Sequence, residues 1–300
     1  MKLTFLTKIK TVSPFLLFFP FLLLYIVIIL IFRDSALSDD EIRYQIYAKN
    51  LTHGYYAPPP PNDVIINGPG YPIILMPFVA LNAPVMLVVL ANALFYYLSV
   101  VFLYQTLLRI SSFKVALFIS LFWACYYNSY QDMLFAFTES FTCLIVSLLL
   151  YFLTRAFENS DQRKKYMILA GIAMGYLALT KVVFCYVILF IFIGSSLAWL
   201  LNRKSINHKR NLAILLVAFA TMLPYFIYTY NLTGRIYYVG NPGADALYWM
   251  SNPNKGEYGD WQSYPRVPGQ DTYRIHSSED SLAANHKKDF DSVYQFNGAK

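Results

Sequence analysis

Residues 13–32 read SPFLLFFPFLLLYIVIILIF, twenty positions without a charged side chain. At about 1.5 Å of rise per residue, a helix of that length spans the roughly 30 Å hydrocarbon core of a bilayer. Lys2, Lys8 and Lys10 precede it, as basic residues precede both secretory signals and membrane anchors. Its apolar stretch is longer than the roughly 7–15 residues of a signal core, and no convincing small-x-small cleavage site follows. It reads as an uncleaved membrane anchor.

The rest of the chain repeats the pattern. Further apolar runs cover 84–108, 115–131, 137–154, 166–180, 182–201 and 212–230, which with the first predict about seven crossings, although 166–201 is short for two. Hydrophobic residues make up 57% and charged residues only 14% of the chain. A soluble domain carries about a quarter charged residues, so much of this chain is solvated by something other than water. Aromatic residues reach 18%, many of them where apolar runs meet polar ones, as Tyr and Trp do at membrane interfaces. The net charge of +7 reflects topology and not a nucleic-acid surface, because Lys and Arg gather in short loops beside alternate runs. Lys2, Lys8, Lys10, Arg109, Lys114, Arg155, Arg163, Lys164, Lys165, Arg203, Lys204, Lys209 and Arg210 fall on one side; Arg33, Arg43, Lys49 and Lys181 fall on the other. This bias predicts a cytoplasmic N-terminus. Cys125, Cys143 and Cys185 each lie inside an apolar run and read as small buried hydrophobes.

The expected fold is therefore all-α, a multi-pass transmembrane bundle with a large first outer loop carrying short interfacial helices. Residues 1–230 form the membrane core, with the outer loop at 33–83, and 231–300 form an extracytoplasmic segment that begins a longer outer loop. Within the loop, Ile42, Tyr44, Ile46, Tyr47 and Leu51 sit near a helical period. Ser38 or Asp39 would cap that helix and Gly54 lies just beyond it. Tyr71–Leu81 is apolar but only eleven residues long and holds Pro72 and Pro77, which suits an interfacial or re-entrant piece.

Three places carry candidate chemistry. Asp39-Asp40-Glu41 stands just outside the first span. In isolation such a triplet is a solvated acidic helix start, but Arg43, Tyr44 and the return of the chain through Pro58–Pro61 to Gly68-Pro69-Gly70 set it beside the bilayer. A carboxylate in a partly dry niche there can serve as a general base. Lys181 alone separates two apolar runs; it is either a turn residue at the interface or a cation placed for a phosphate. Glu139 is either a dipole-favoured charge at a helix start or part of the same cavity. Asn50-Leu51-Thr52 and Asn231-Leu232-Thr233 match the glycosylation pattern, which arises often by chance. The four His show no metal-ligand spacing, and neither a phosphate-cradling glycine loop nor a Ser-His-Asp signature is present. No cofactor is specified.

Asp40-Glu41-Ile42-Arg43-Tyr44, followed by Ala48-Lys49-Asn50-Leu51 and Gly54, resembles the first outer loop of GT-C glycosyltransferases, in particular glycosyltransferase family 39, the protein O-mannosyltransferase and aminoarabinose-transferase-like set. Gly68-Pro69-Gly70-Tyr71-Pro72 resembles the segment that ends that loop. Thr138-Glu139-Ser140-Phe141 is similar to the family's Ser-Glu-Pro-Leu, with Ser140 for proline. Ala178-Leu179-Thr180-Lys181 is similar to its Leu-Thr-Arg-Pro turn, with Lys181 for arginine and Val182 for proline. Gly243–Pro253 resembles a Gly-Asn-Asn-Pro stretch beyond the seventh span. The resemblance implies sugar transfer from a polyprenyl-phosphate donor to a lipid, glycan or protein acceptor on the non-cytoplasmic face of a cell membrane, a bacterial inner membrane in this reading. It implies Asp40 as general base with Glu41 beside it, Lys181 and Arg43 on the donor phosphate, and Glu41, Glu139 and Tyr44 orienting hydroxyls. No metal is assigned. Family members continue into further spans, so the chain also reads as truncated, with a donor-binding remnant as one outcome. A transporter or a scaffold for glycan assembly is the competing class. A transporter would more often place polar residues at mid-span or show inverted repeats.

Overall fold

The computed structural model describes residues 12–34, 36–57, 65–202 and 205–240. Lys2, Lys8, Lys10, the prolines 58–61, Arg203, Lys204 and the stretch 243–253 lie outside the described residues. So does most of the expected extracytoplasmic segment 231–300. The described chain folds into helices: α1 (Pro14–Phe32), α2 (Asp39–Thr52), α3 (Gly70–Ala80), α4 (Val85–Ile110), α5 (Phe113–Ala124), α6 (Tyr127–Asp132), α7 (Glu139–Phe157), α8 (Arg163–Thr180), α9 (Val183–Leu201) and α10 (Ile206–Thr233). They belong to one compact unit formed by Met1–Ala57 and Asn67–Val239. A second unit, Pro58–Ile66 with Gly240–Lys300, contributes only residues 65, 66 and 240 to the described chain.

By length and composition, α1, α4, α7, α9 and α10 are able to cross a membrane. The sequence predicted about seven crossings, and two of its runs differ. The run 115–131 is divided between α5, of twelve residues, and the short α6. The run that begins at 166 belongs to α8, whose first turn carries Arg163, Lys164 and Lys165. Cys125 corrects a second expectation: the helix has ended there, so Cys125 is a helix cap and is exposed.

The buried face of each span follows from spacing. In α1 only Phe18, Tyr25 and Ile29 are buried, seven and four residues apart on one stripe, and α1 packs on α4. Much of the rest of α1 and of α9 turns large apolar side chains outward, while Leu17, Phe21, Leu22 and Ile26 of α1 are half-buried against the core. A helix that is apolar all round and half unburied has lipid as its solvent. In the other direction, α8 packs tightly between α7 and α10. Gly171 and Gly175 permit this, since an added Cβ would stand 2.7 Å from Ile214 O and 2.5 Å from Ala218 O respectively. This is the small-residue approach that drives helix association where no hydrophobic effect operates.

The end of α5 shows how a helix can stop inside such a bundle. Its last carbonyls have no intrahelical partners, and leaving them bare in a low-dielectric interior would cost several kcal/mol. The backbone N–H groups of Cys125 and Tyr126 serve Leu121 O and Trp123 O, both at 3.1 Å, and tyrosine hydroxyls add to this. The Tyr25 hydroxyl of α1 and the Tyr130 hydroxyl of α6 each donate to Ala124 O at 2.8 Å, and the Tyr96 hydroxyl of α4 donates to Trp123 O.

The two ends of the bundle differ in chemistry. At one end Arg109 at the close of α4 and Arg155 near the close of α7 both pair with Glu158, at 2.8 and 3.1 Å, and Arg163 at the start of α8 donates to Glu158 O. The other end holds the close of α1, α2, α3, the start of α7 and the close of α8. The sequence candidates gather there.

Candidate active site

The site begins with how α2 is started. The Ser38 hydroxyl accepts from Glu41 N, and Glu41 Oε2 accepts from Ser38 N at 2.9 Å, a reciprocal capping box. Asp39, the other expected cap, is instead the first residue of the helix. Glu41 goes further. Its carboxylate pairs with Arg33 at 2.9 Å and accepts from Ala136 N at 2.7 Å, and the two side chains are 0% and 5% exposed. Arg33 also donates to Leu134 O at 2.8 Å and lies over the Phe135 ring. One buried ion pair thus joins the end of α1, the start of α2 and the loop before α7. The expectation that Glu41 orients substrate hydroxyls does not fit this placement, since it has no exposed surface and its oxygens are taken.

Asp40, its neighbour, points the other way. Its side chain is half exposed, and Oδ1 accepts from Arg43 one turn later. The partly dry niche expected around Asp40 is accordingly open to solvent on one side. Arg43 Nε donates to Asn67 Oδ1 at 2.8 Å, and Asn67 Nδ2 donates to the Tyr44 hydroxyl at 3.2 Å. Tyr44 is buried between α2 and α3, its ring edge-on to Tyr71 at 5.3 Å. Burial pushes the Tyr44 phenol up to about 12, the Thr138 hydroxyl partly offsets this, and the charges of Asp40 and Glu139 add to it. Tyr44 therefore stays protonated and lies in the field of both carboxylates.

The loop then returns against α8 with no room to spare. A Cβ on Gly68 would stand 2.1 Å from Leu179 O, and one on Gly70 would stand 2.4 Å from the Thr180 hydroxyl. Only glycine permits that approach. Tyr176 of α8 fixes the contact by donating to Gly70 O at 2.7 Å. The next residue after this contact is Lys181, which caps α8, where the helix dipole favours a cation. Its Nζ pairs with Glu139 Oε1 at 2.7 Å, the side chains being 34% and 37% exposed. Glu139 opens α7, where the dipole favours an anion. Lys181 and Glu139, read separately in the sequence, are thus one ion pair at the surface.

Asp132, at the close of α6, falls between the apolar runs 115–131 and 137–154 and was not singled out in the sequence. Burial raises its carboxyl above the ordinary range, Glu139 raises it further and Lys181 opposes them. It belongs to the same patch. Asn67 was also missed, its only sequence signal being its position beside Gly68, and Thr138 was quoted within a motif but given no role. The Tyr71 hydroxyl, fully buried behind Tyr44, has no hydrogen-bond partner among the described residues. No group of three or more His, Cys, Asp or Glu suited to a metal occurs among the described residues. Of the two glycosylation triplets, Asn50 is engaged internally, donating to Tyr56 O at 3.0 Å.

The arrangement therefore offers a half-exposed carboxylate, an ammonium about one third exposed and a protonated phenol that feels the charges of Asp40 and Glu139. The profile of the dolichyl-phosphate-mannose-protein mannosyltransferases matches residues 67–228. Among solved structures, the chain is similar to one described as the S. cerevisiae protein O-mannosyltransferase Pmt1-Pmt2 complex bound to the sugar donor. The identity is 18% and the TM-score 0.54, over 84% of this chain and 39% of that one, so the chain spans well under half of its length. Comparison with curated proteins finds no match.

Proposed function

The chain belongs to the dolichyl-phosphate-mannose-protein mannosyltransferase family, and from that premise we propose that it is a membrane glycosyltransferase using a polyprenyl-phosphate sugar donor. The sugar is a hexose, mannose by family, and the acceptor is a hydroxyl presented on the non-cytoplasmic face. The observation that carries this reading is the meeting of loop and bundle: Arg43, paired with Asp40, holds Asn67, the next residue Gly68 packs directly on Leu179 O, and Lys181, two residues further on, holds Glu139. A base and a phosphate-binding cation thereby address one patch, although Asp40 and Lys181 are far apart in sequence.

The chemistry follows from the free valences. Arg43 occupies Oδ1 of Asp40, so Oδ2 is the oxygen that takes the acceptor's proton. The acceptor oxygen attacks the anomeric carbon as the bond from that carbon to the phosphate oxygen breaks, and the electron pair leaves with the polyprenyl phosphate. A single displacement of this kind inverts the anomeric configuration, as in glycosidases whose base activates water. Lys181 has three donors and Glu139 uses one, so the ammonium can hold the departing phosphate without losing its carboxylate. Arg43 is the second cation, shared between Asp40 and Asn67. Glu139, Asp132 and the Tyr44 hydroxyl orient sugar or acceptor hydroxyls. Glu41 acts at one remove, by fixing the helix that carries Asp40.

In this assignment the N-terminus is cytoplasmic and the membrane is a bacterial inner membrane. Arg109, Arg155 and Arg163 at the opposite end of the bundle from the site favour that orientation. The test is transfer from polyprenyl-phosphate mannose in reconstituted membranes. Asp40→Asn should abolish transfer and leave insertion intact; transfer at the wild-type rate would remove the base assignment.

A further inference from the structure

Gln45, Ile42, Ile46 and Lys49 lie on the side of α2 turned from the site. With Leu37 and Val79 of α3 they line a cavity of about 240 Å³. A second space of about 30 Å³ shares Gln45 and Val79 and runs in between α3 and α4 over Leu75 and Phe78. The walls are apolar apart from two donors. Among the described residues, Gln45 Nε2 is buried with no acceptor, and Lys49 at the rim is exposed and forms no ion pair. A buried donor left without an acceptor costs about 1–3 kcal/mol, so a ligand carrying an acceptor gains by filling the place.

The position of the groove limits what can fill it. Six residues separate the end of α1 from α2, and four separate α3 from α4. Fully extended, those links reach only about 20 Å and about 14 Å. Both walls are therefore tied to spanning helices, at the level where head groups meet chains. We propose that the groove between α2 and α3 binds one anionic phospholipid of the surrounding bilayer. An acyl chain lies along Leu37, Ile42, Ile46 and Val79, an ester carbonyl accepts from Gln45 Nε2, and the phosphate meets Lys49 Nζ. The site is separate from the Asp40 patch and does not depend on its chemistry.

The test uses the whole chain in phosphatidylcholine nanodiscs doped with a photoactivatable phosphatidylglycerol, or with the same probe on phosphatidylcholine, and maps labelled peptides by mass spectrometry. The peptide containing 42–49 should be labelled more strongly by the glycerol lipid. Lys49→Gln should lower that labelling about fivefold, the effect of removing one lysine at an anionic surface. Ile46→Trp, which fills the groove, should remove labelling by both probes while the outward face of α9 stays labelled, showing that the variant is inserted. Equal labelling by the two head groups, or labelling indifferent to both substitutions, overturns the proposal. So does a cross-link within the chain showing that its own residues beyond 240 occupy the groove.

Discussion

Replacing Glu41 by Gln leaves one side-chain oxygen for the backbone N–H groups of Ser38 and Ala136, which in Glu41 bind separate oxygens, and removes the charge that Arg33 faces at 2.9 Å. The guanidinium is left 5% exposed, with Leu134 O and the Phe135 face as its remaining neighbours. Breaking a buried pair on one side costs about 3–5 kcal/mol, because the surviving charge is uncompensated. At about 1.4 kcal/mol per decade, the folded-to-unfolded ratio should fall between about a hundredfold and a few thousandfold. A double-mutant cycle measured by reversible SDS unfolding in bicelles reads this directly. Glu41→Gln and Arg33→Met should each be strongly destabilising. Together they should cost no more than about 1 kcal/mol beyond the worse single change, since the stranded charge is gone and only hydrogen bonds are lost. Additive single effects, or a Glu41→Gln protein within about 1 kcal/mol of wild type, would refute the reasoning and return Glu41 to a direct role with substrate.

Lys181→Ala should raise the KM for a polyprenyl-phosphate donor by about ten- to a hundredfold, the worth of a charged hydrogen bond, and Lys181→Arg by much less; equal effects would remove the phosphate role. Gly68→Ala forces a Cβ to 2.1 Å from the backbone oxygen of Leu179 and should cost about 1–3 kcal/mol in the same unfolding assay. Gly194→Ala in α9, where nothing stands within 4 Å, should be neutral or gain up to about 1 kcal/mol. Burial raises the Asp132 carboxyl, so the protonated form favours the folded state. That contribution is present below the ordinary carboxylate value and is lost as pH rises through the raised one. Asp132→Asn should flatten this part of the pH–stability profile and raise stability at neutral pH, and an unchanged profile would contradict it.

Periodicity and length made the spans and the loop helix legible. Ser38 and Gly54 bracket α2 as capping chemistry requires, and the prolines and length of 71–81 matched the short α3. Pairing was not legible, because it joins residues far apart in the chain. Glu139 and Lys181 were each candidates, but nothing local says that they touch across 42 positions. Arg33 was counted only as a loop charge, although its buried partner makes it a structural residue. Gly68 and Gly70 were read as a motif, and their physical reason is the backbone of Leu179 and Thr180 lying directly against them. The single run 115–131 concealed a helix end because the groups that allow the end, Tyr25 and Tyr96, come from other helices.

Those tyrosines carry a consequence for biogenesis. Twelve residues of α5 are too few to be retained in a bilayer by their own apolarity. Tyr25 and Tyr96 emerge from the ribosome before α5, so their hydroxyls are already waiting when its carbonyls arrive, and Tyr130 closes the cap one short helix later. The order of the chain thus sets an order of events in which α1 and α4 act as an internal receptor for α5. A variant lacking both hydroxyls would be expected to fail during synthesis, with α5 left outside the bundle and open to quality-control proteolysis.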